Sequence, residues 1–136
     1  MSDPVILNKT QSIERCVKRI EEDYFGFEND FGTNYMGQDA ILLNLQRACE
    51  QIIDLANHMV KIQELEVPRE SKEVFEVLVE ANLLESVLAD KMKKMIGFRN
   101  IAIHEYGKLK MDIVRSIIEN HLEDFRSFIR FAVQYI

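Results

Sequence analysis

Arg99, Asn100, His104 and Tyr106 fall within eight consecutive positions and bring together side chains suited to acid–base and phosphate chemistry. Histidine exchanges a proton near neutral pH. Arginine offers a permanent planar cation that fits a phosphate or carboxylate in a fork of N–H donors. Helical steps of three and four connect Leu88, Met92, Met95, Arg99, Ala102 and Tyr106, so Arg99 stands where the pattern asks for an apolar residue. A guanidinium cannot shed its charge, and an inward face is costly unless an acid, a carbonyl or a ligand phosphate satisfies it. Two readings stay open from periodicity: a structural arginine paired with a carboxylate on a neighbouring helix, or a functional cation. His104 lies five residues from Arg99, about 140° round an ideal helix, but four from Asn100, on that residue's face. Arg99 and His104 can converge if the helix end distorts near Gly107, or if a second copy closes the gap across a dimer. Tyr106 returns to the Arg99 face, either as a core aromatic with its hydroxyl at the rim or as a group open to chemistry.

Charge is concentrated around the same residues. The chain of 136 residues has a net charge of −6, which argues against a general nucleic-acid coat protein. Yet residues 91–110 hold six basic side chains (Lys91, Lys93, Lys94, Arg99, Lys108 and Lys110) and one acid, Glu105, a net of +5. The remainder carries −11. Contact with phosphate is therefore expected here, with Lys94 and Lys108 as candidates. A solvated lysine face on a helix is the plainer explanation of a charge run alone.

The elements that must position these residues are helical. The chain is 47% apolar with five glycines and two prolines, and it is long enough to bury a core as one domain, 1–136. Asp3 before Pro4 reads as a helix start, and Ile6, Ile13, Cys16, Val17, Ile20 and Tyr24 follow at helical spacing up to Gly26. Gly26, Gly32 and Gly37 mark a loop. A second helix from near Asp39 carries the stripe Ile41, Leu42, Leu45, Ala48, Cys49, Ile52, Ile53, Ala56 and Val60, and stops before Pro68. Ser71 is expected to cap a third helix reaching about Leu83. A fourth runs from about Ser86 with Gly107 as its stop, and the last continues from near Met111 almost to the C-terminus. No strand-like alternation appears. The expected architecture is an all-α antiparallel bundle of four to five helices. Wide apolar stripes on the second and last helices also suit a homodimer.

The string RNIAIHEY resembles the R-x4-6-H motif of the HEPN superfamily, in the version where a polar residue follows the arginine. Its closing His-x-Tyr is similar to that of the HepT-like toxins that pair with minimal nucleotidyltransferase (MntA-like) antitoxins. The surrounding KKMIGFRNIAIHEY, LKMDIV and HLEDF agree, as does QDAILLNLQRACEQIIDLANH upstream, so the resemblance spans nearly the whole chain. It implies a dimeric HEPN bundle acting as a metal-independent endoribonuclease toxin, with Arg99 and His104 as the catalytic pair and Asn100 supporting them. It further implies that Tyr106 accepts AMP from the nucleotidyltransferase antitoxin. AMP beside Arg99 would place bulk and negative charge where the RNA phosphate belongs. The alternative is a non-catalytic HEPN module that helps a nucleotidyltransferase bind its nucleotide or substrate. Such a module needs the arginine but no acid–base group. A plain helical interaction domain leaves Arg99 on the seam without a purpose.

Other polar residues carry weaker signals. Cys16 and Cys49 sit within apolar helical patterns and read as small buried core residues. His121 falls on the apolar stripe of the last helix, as a core or rim histidine, and His58 lies near the C-terminal end of the second helix, where a cation suits the dipole. The histidines show no ligand-like spacing, so neither a metal nor a cofactor is expected. Asp39, Asn44, Arg47 and Asp54 are polar positions on an apolar helix, able to pair with Arg99 or line a cleft. Neither a secretory signal nor a membrane-length apolar run is present, which gives a cytoplasmic expectation and no membrane partner.

Overall fold

The computed structural model describes residues 3–26, 30–104 and 111–136, with the side chains of 102–104 left out. Six helices follow one another: α1 Pro4–Phe25, α2 Tyr35–Ile62, α3 Glu73–Glu80, α4 Ser86–His104, α5 Met111–Asn120 and α6 Leu122–Val133. The described residues include no strand, so the fold is all-α as expected, with one helix more than the four or five anticipated. No described helix is long and apolar enough to cross a membrane.

The first helix starts as its sequence dictates. Asp3 accepts from the backbone N–H groups of Val5 and Ile6, and Pro4 occupies the first helical position. The same carboxylate takes a 2.8 Å contact from His58 Nε2 near the end of α2, and Lys9 meets Asp54 at 3.3 Å. These two contacts place the start of α1 beside the end of α2, so the long pair is antiparallel. Between them Ile6, Ile13, Ile20, Leu45, Ile52, Leu55 and Met59 are fully buried, and burial of each such side chain favours the fold by about 1.5–3 kcal/mol. Met92, Met95 and Ile96 bring α4 into the same core. Phe75 of α3 meets Phe128 of α6 edge to face at 5.9 Å.

Boundaries depart from expectation in three places. Helix α2 begins at Tyr35 and not near Asp39, because Asn34 caps it by accepting from Gly37 N–H at 3.0 Å, so Gly37 lies inside the helix and not in the loop. Helix α3 begins at Glu73 with Lys72 as its N-cap and no side-chain cap bond, in place of a start capped by Ser71. The preceding turn is closed instead by Glu73, whose carboxylate accepts from Arg69 N–H at 3.0 Å. The helix ends three residues short of Leu83, where Asn82 takes a left-handed φ of 61° and lets Leu83 and Leu84 bond back to Leu78. The expected single C-terminal helix is broken at His121. A continuous helix would have carried that imidazole along the buried stripe between Ile118 and Phe125. The break turns it out to 52% side-chain exposure, with Nδ1 3.2 Å from Asp124 Oδ2. Of the core and rim alternatives for His121 the structure therefore gives the rim: a half-exposed N-cap residue of α6 in contact with Asp124.

A single arginine then ties the last helix to the first. Arg126 donates to Glu14, Glu21 and Glu123, with its shortest contact 2.6 Å to Glu21. The guanidinium holds the Glu21 carboxyl below its usual range against a smaller opposing effect of burial. Because the folded pKa is the lower one, this stabilisation is complete above the unfolded carboxylate pKa. It is lost as pH falls through the folded value. Arg126→Met should therefore lower stability at neutral pH by about 1 kcal/mol. In urea titrations the gap from wild type should narrow once the pH drops below the carboxylate range, and a pH-independent gap would show that packing, not charge, is what Arg126 supplies.

Candidate active site

Helix α4 runs without interruption through Arg99, Asn100 and His104. The positions of Arg99 and His104 are consequently about 140° apart around its axis, and the expected distortion near Gly107 falls outside the described residues. Met95 and Phe98 are buried on the seam, and Arg99 follows them into a half-buried position. The side chain of His104 lies outside the described residues, as do Tyr106, Gly107 and Lys108 in their entirety.

The arginine is incompletely satisfied. Its Nη1 donates to Asn100 Oδ1 at 3.0 Å, while its Nε is buried with no hydrogen-bond partner among the described residues. The ion pairs among those residues engage Lys9, Lys91, Lys93, Arg126 and Arg130 but not Arg99. The carboxylate partner that a purely structural arginine would require is absent from this described set. Nearby on α2, the Cys49 thiol donates to the Met95 carbonyl at 3.7 Å. Burial pushes its pKa well up, opposed by the charge of Arg99. Cys49 therefore meets α4 at Met95, one helical turn before Arg99.

The other candidates separate. Asn100 is brought directly to Arg99 and orients it. Lys94 is exposed, and five helical positions set it about 140° from Arg99. Lys91 and Lys93 are committed elsewhere, to Asp124 at 3.8 Å and to Glu76, so part of the basic window is neutralised by the fold. On α2, Asp54 pairs with Lys9 instead of Arg99. Arg47 is exposed and its charge acts on Cys16 of α1. Asn44 is buried, bonding back to Ala40 O at 3.1 Å, with its Oδ1 unpartnered among the described residues.

Beside Asn100 the surface opens into a shallow depression of about 470 Å³ lined by Arg69, Glu70, Ser71, Lys72 and Asn100. Residues 69–72 come from the connection between α2 and α3. Sequence reasoning passed over them because acids alternate with bases there, leaving no linear charge run.

An all-α bundle with a half-buried arginine held by the next residue, Asn100, is the arrangement of a HEPN-type helical protein, as the comparisons with known proteins show. The family model Ribonuclease HepT-like matches residues 13–132. The chain is 46% identical over 125 residues to the mRNA nuclease HepT of Shewanella oneidensis, across 92% of this chain and 93% of that protein. It superposes with a TM-score of 0.91, at 43% identity and with full coverage of both chains, on a tri-AMPylated HEPN toxin from Shewanella oneidensis solved in complex with an MNT antitoxin. A toxin–antitoxin structure containing AMP-PNP matches with a TM-score of 0.90 and 44% identity, over 97% of this chain and 99% of the other. The chain belongs to the HepT-like ribonuclease family.

An unpartnered buried donor on a cation costs stability unless a ligand completes it. Arg99→Met keeps the volume and removes that donor. It should leave the unfolding free energy within about 1 kcal/mol of wild type or raise it. A loss well beyond that in a denaturant titration would identify Arg99 as a structural residue.

Proposed function

We propose that this chain is the toxin of a toxin–antitoxin pair and cuts RNA without a metal ion. The observation that carries this reading is Arg99: a half-buried cation whose Nε has no partner among the described residues, oriented by Asn100, in a chain of the HepT-like ribonuclease family. In the proposed reaction the ribose 2′-oxygen attacks the adjacent phosphorus while its proton passes to His104. The bond to the 5′-oxygen then breaks, that oxygen takes up a proton, and a 2′,3′-cyclic phosphate remains. Arg99 stabilises the added charge on the five-coordinate phosphorus. We assign Asn100 the role of holding the guanidinium, and the reaction to the cytoplasm, where messenger RNA is available.

Unbroken helix between Arg99 and His104 favours the dimer route over local distortion: two copies would set their α4 helices together and share one cleft. Regulation follows from the relatives, one of which is AMPylated and bound to its MNT antitoxin. We assign Tyr106 as the acceptor. Its phenolic oxygen would displace pyrophosphate from ATP on an MntA-like nucleotidyltransferase, with loss of the phenol proton. Lys94 and Lys108 are carried as phosphate contacts outside the reacting centre.

RNA cleavage by the purified chain should persist in excess EDTA and be absent on DNA of the same sequence, which lacks the 2′-OH. Arg99→Ala and His104→Ala should each slow cleavage by about 100-fold or more. Activity abolished by chelation or retained on DNA would refute the mechanism. Incubation with the antitoxin and ATP should add adenylyl mass to wild type but not to Tyr106→Phe.

A further inference from the structure

We infer that the depression formed by Arg69, Ser71, Lys72 and Asn100 is a subsite for the RNA backbone, holding a phosphate next to the one that is cut. The inference rests on the ribonuclease reading and adds residues from a different part of the chain to it. The α2–α3 connection contributes a guanidinium, an ammonium and a hydroxyl to one open concavity that Asn100 of α4 also lines. Asn100 is the residue bonded to Arg99, so a nucleotide backbone lying in this concavity arrives directly at the catalytic cation.

Lys72 sits close to α4. A Cβ built on Gly97 would lie 3.4 Å from Lys72 Nζ. Gly97 and Asn100 are three residues apart and share a helical face, so the ammonium rests against the same stretch of helix that carries the site. Lys72 is exposed and makes no ion pair among the described residues, in contrast to Lys91 and Lys93. With Oδ1 of Asn100 accepting from Arg99, what its amide can still offer a ligand is Nδ2–H. Cation, cation, hydroxyl and amide donor together select an anion.

Glu70 is the one acidic lining residue. It lowers the net charge of the subsite and keeps phosphate binding weak enough to release product. A polyanion recruited here is RNA, because the neighbouring arginine serves a reaction that requires a ribose, and single-stranded, because in-line attack by the 2′-oxygen needs a backbone that an A-form helix does not hold in place.

The test is steady-state cleavage of an RNA oligonucleotide by wild type, Arg69→Ala/Lys72→Ala and Glu70→Gln, each at several salt concentrations. The double variant should raise KM roughly tenfold and leave kcat within about twofold. Its log–log salt slope should be shallower by about 1.4, reflecting two lost phosphate contacts on a single strand. Glu70→Gln should move KM the other way, by about two- to threefold, and Lys72→Arg should keep the wild-type KM. If the double variant does not fold, Lys72→Glu alone must raise KM with kcat preserved. Unchanged KM and salt slope overturn the subsite, as does a fall in kcat at constant KM. Unchanged RNA kinetics with weaker binding to the antitoxin would assign the patch to that protein and equally overturn it. Wild type that cuts no RNA at all would instead sink the ribonuclease reading itself.

Discussion

A guanidinium set half into the seam of a helical bundle imposes conditions on everything around it. Arg99 cannot neutralise itself, and among the described residues it has one side-chain acceptor, Asn100, while its Nε is buried and unpartnered. Such a group persists because its surroundings over-determine its position. Methionines 92 and 95 with Ile96 anchor α4, and α2 presses against it through Cys49.

Polar fastening elsewhere keeps that arrangement rigid. The Asp3–His58 contact fixes one end of the α1–α2 pair. At the other end Tyr24 donates to Glu119 and accepts from Arg115 at 2.8 Å. The guanidinium of Arg115 also stacks over Tyr24 and Phe31, 5.6 and 5.1 Å from the ring centroids. This cluster secures α5 to α1, and α5 is the element into which the chain runs after residues 105–110. Both flanks of that segment, α4 and α5, are therefore packed against the long hairpin.

The helical class and the identity of α1, α2 and α4 were legible in the sequence because their apolar stripes are long, and α1 also opens on the cap that Asp3 announces. The break at His121 was not. Stripe-counting treats a histidine as compatible with a buried face, whereas the cost of burying imidazole is met by ending the helix. The start of α3 was misread for a related reason: Ser71 is a good cap in isolation, but Glu73 reached the Arg69 N–H first. At the site, Arg99 stood out as a charge on an apolar seam, and its bond to Asn100 follows from their adjacency. Arg69 and Lys72 were invisible, since their proximity to Asn100 arises only when the α2–α3 connection folds over α4. The polar residues of α2 went astray because a helical face tells which way a side chain points, not which neighbour it will meet; Asp54 found Lys9 on α1.

The two cysteines have a consequence of another kind. Both are free and buried, and burial raises the pKa of each, Cys49 most strongly. Oxidants attack thiolates that they can reach, and neither condition is met here, although Cys49 lies within the electrostatic reach of Arg99. Changes in redox poise thus find no handle on the site. Control of a bundle built this way has to arrive from outside, through a binding partner or a covalent charge placed on its surface.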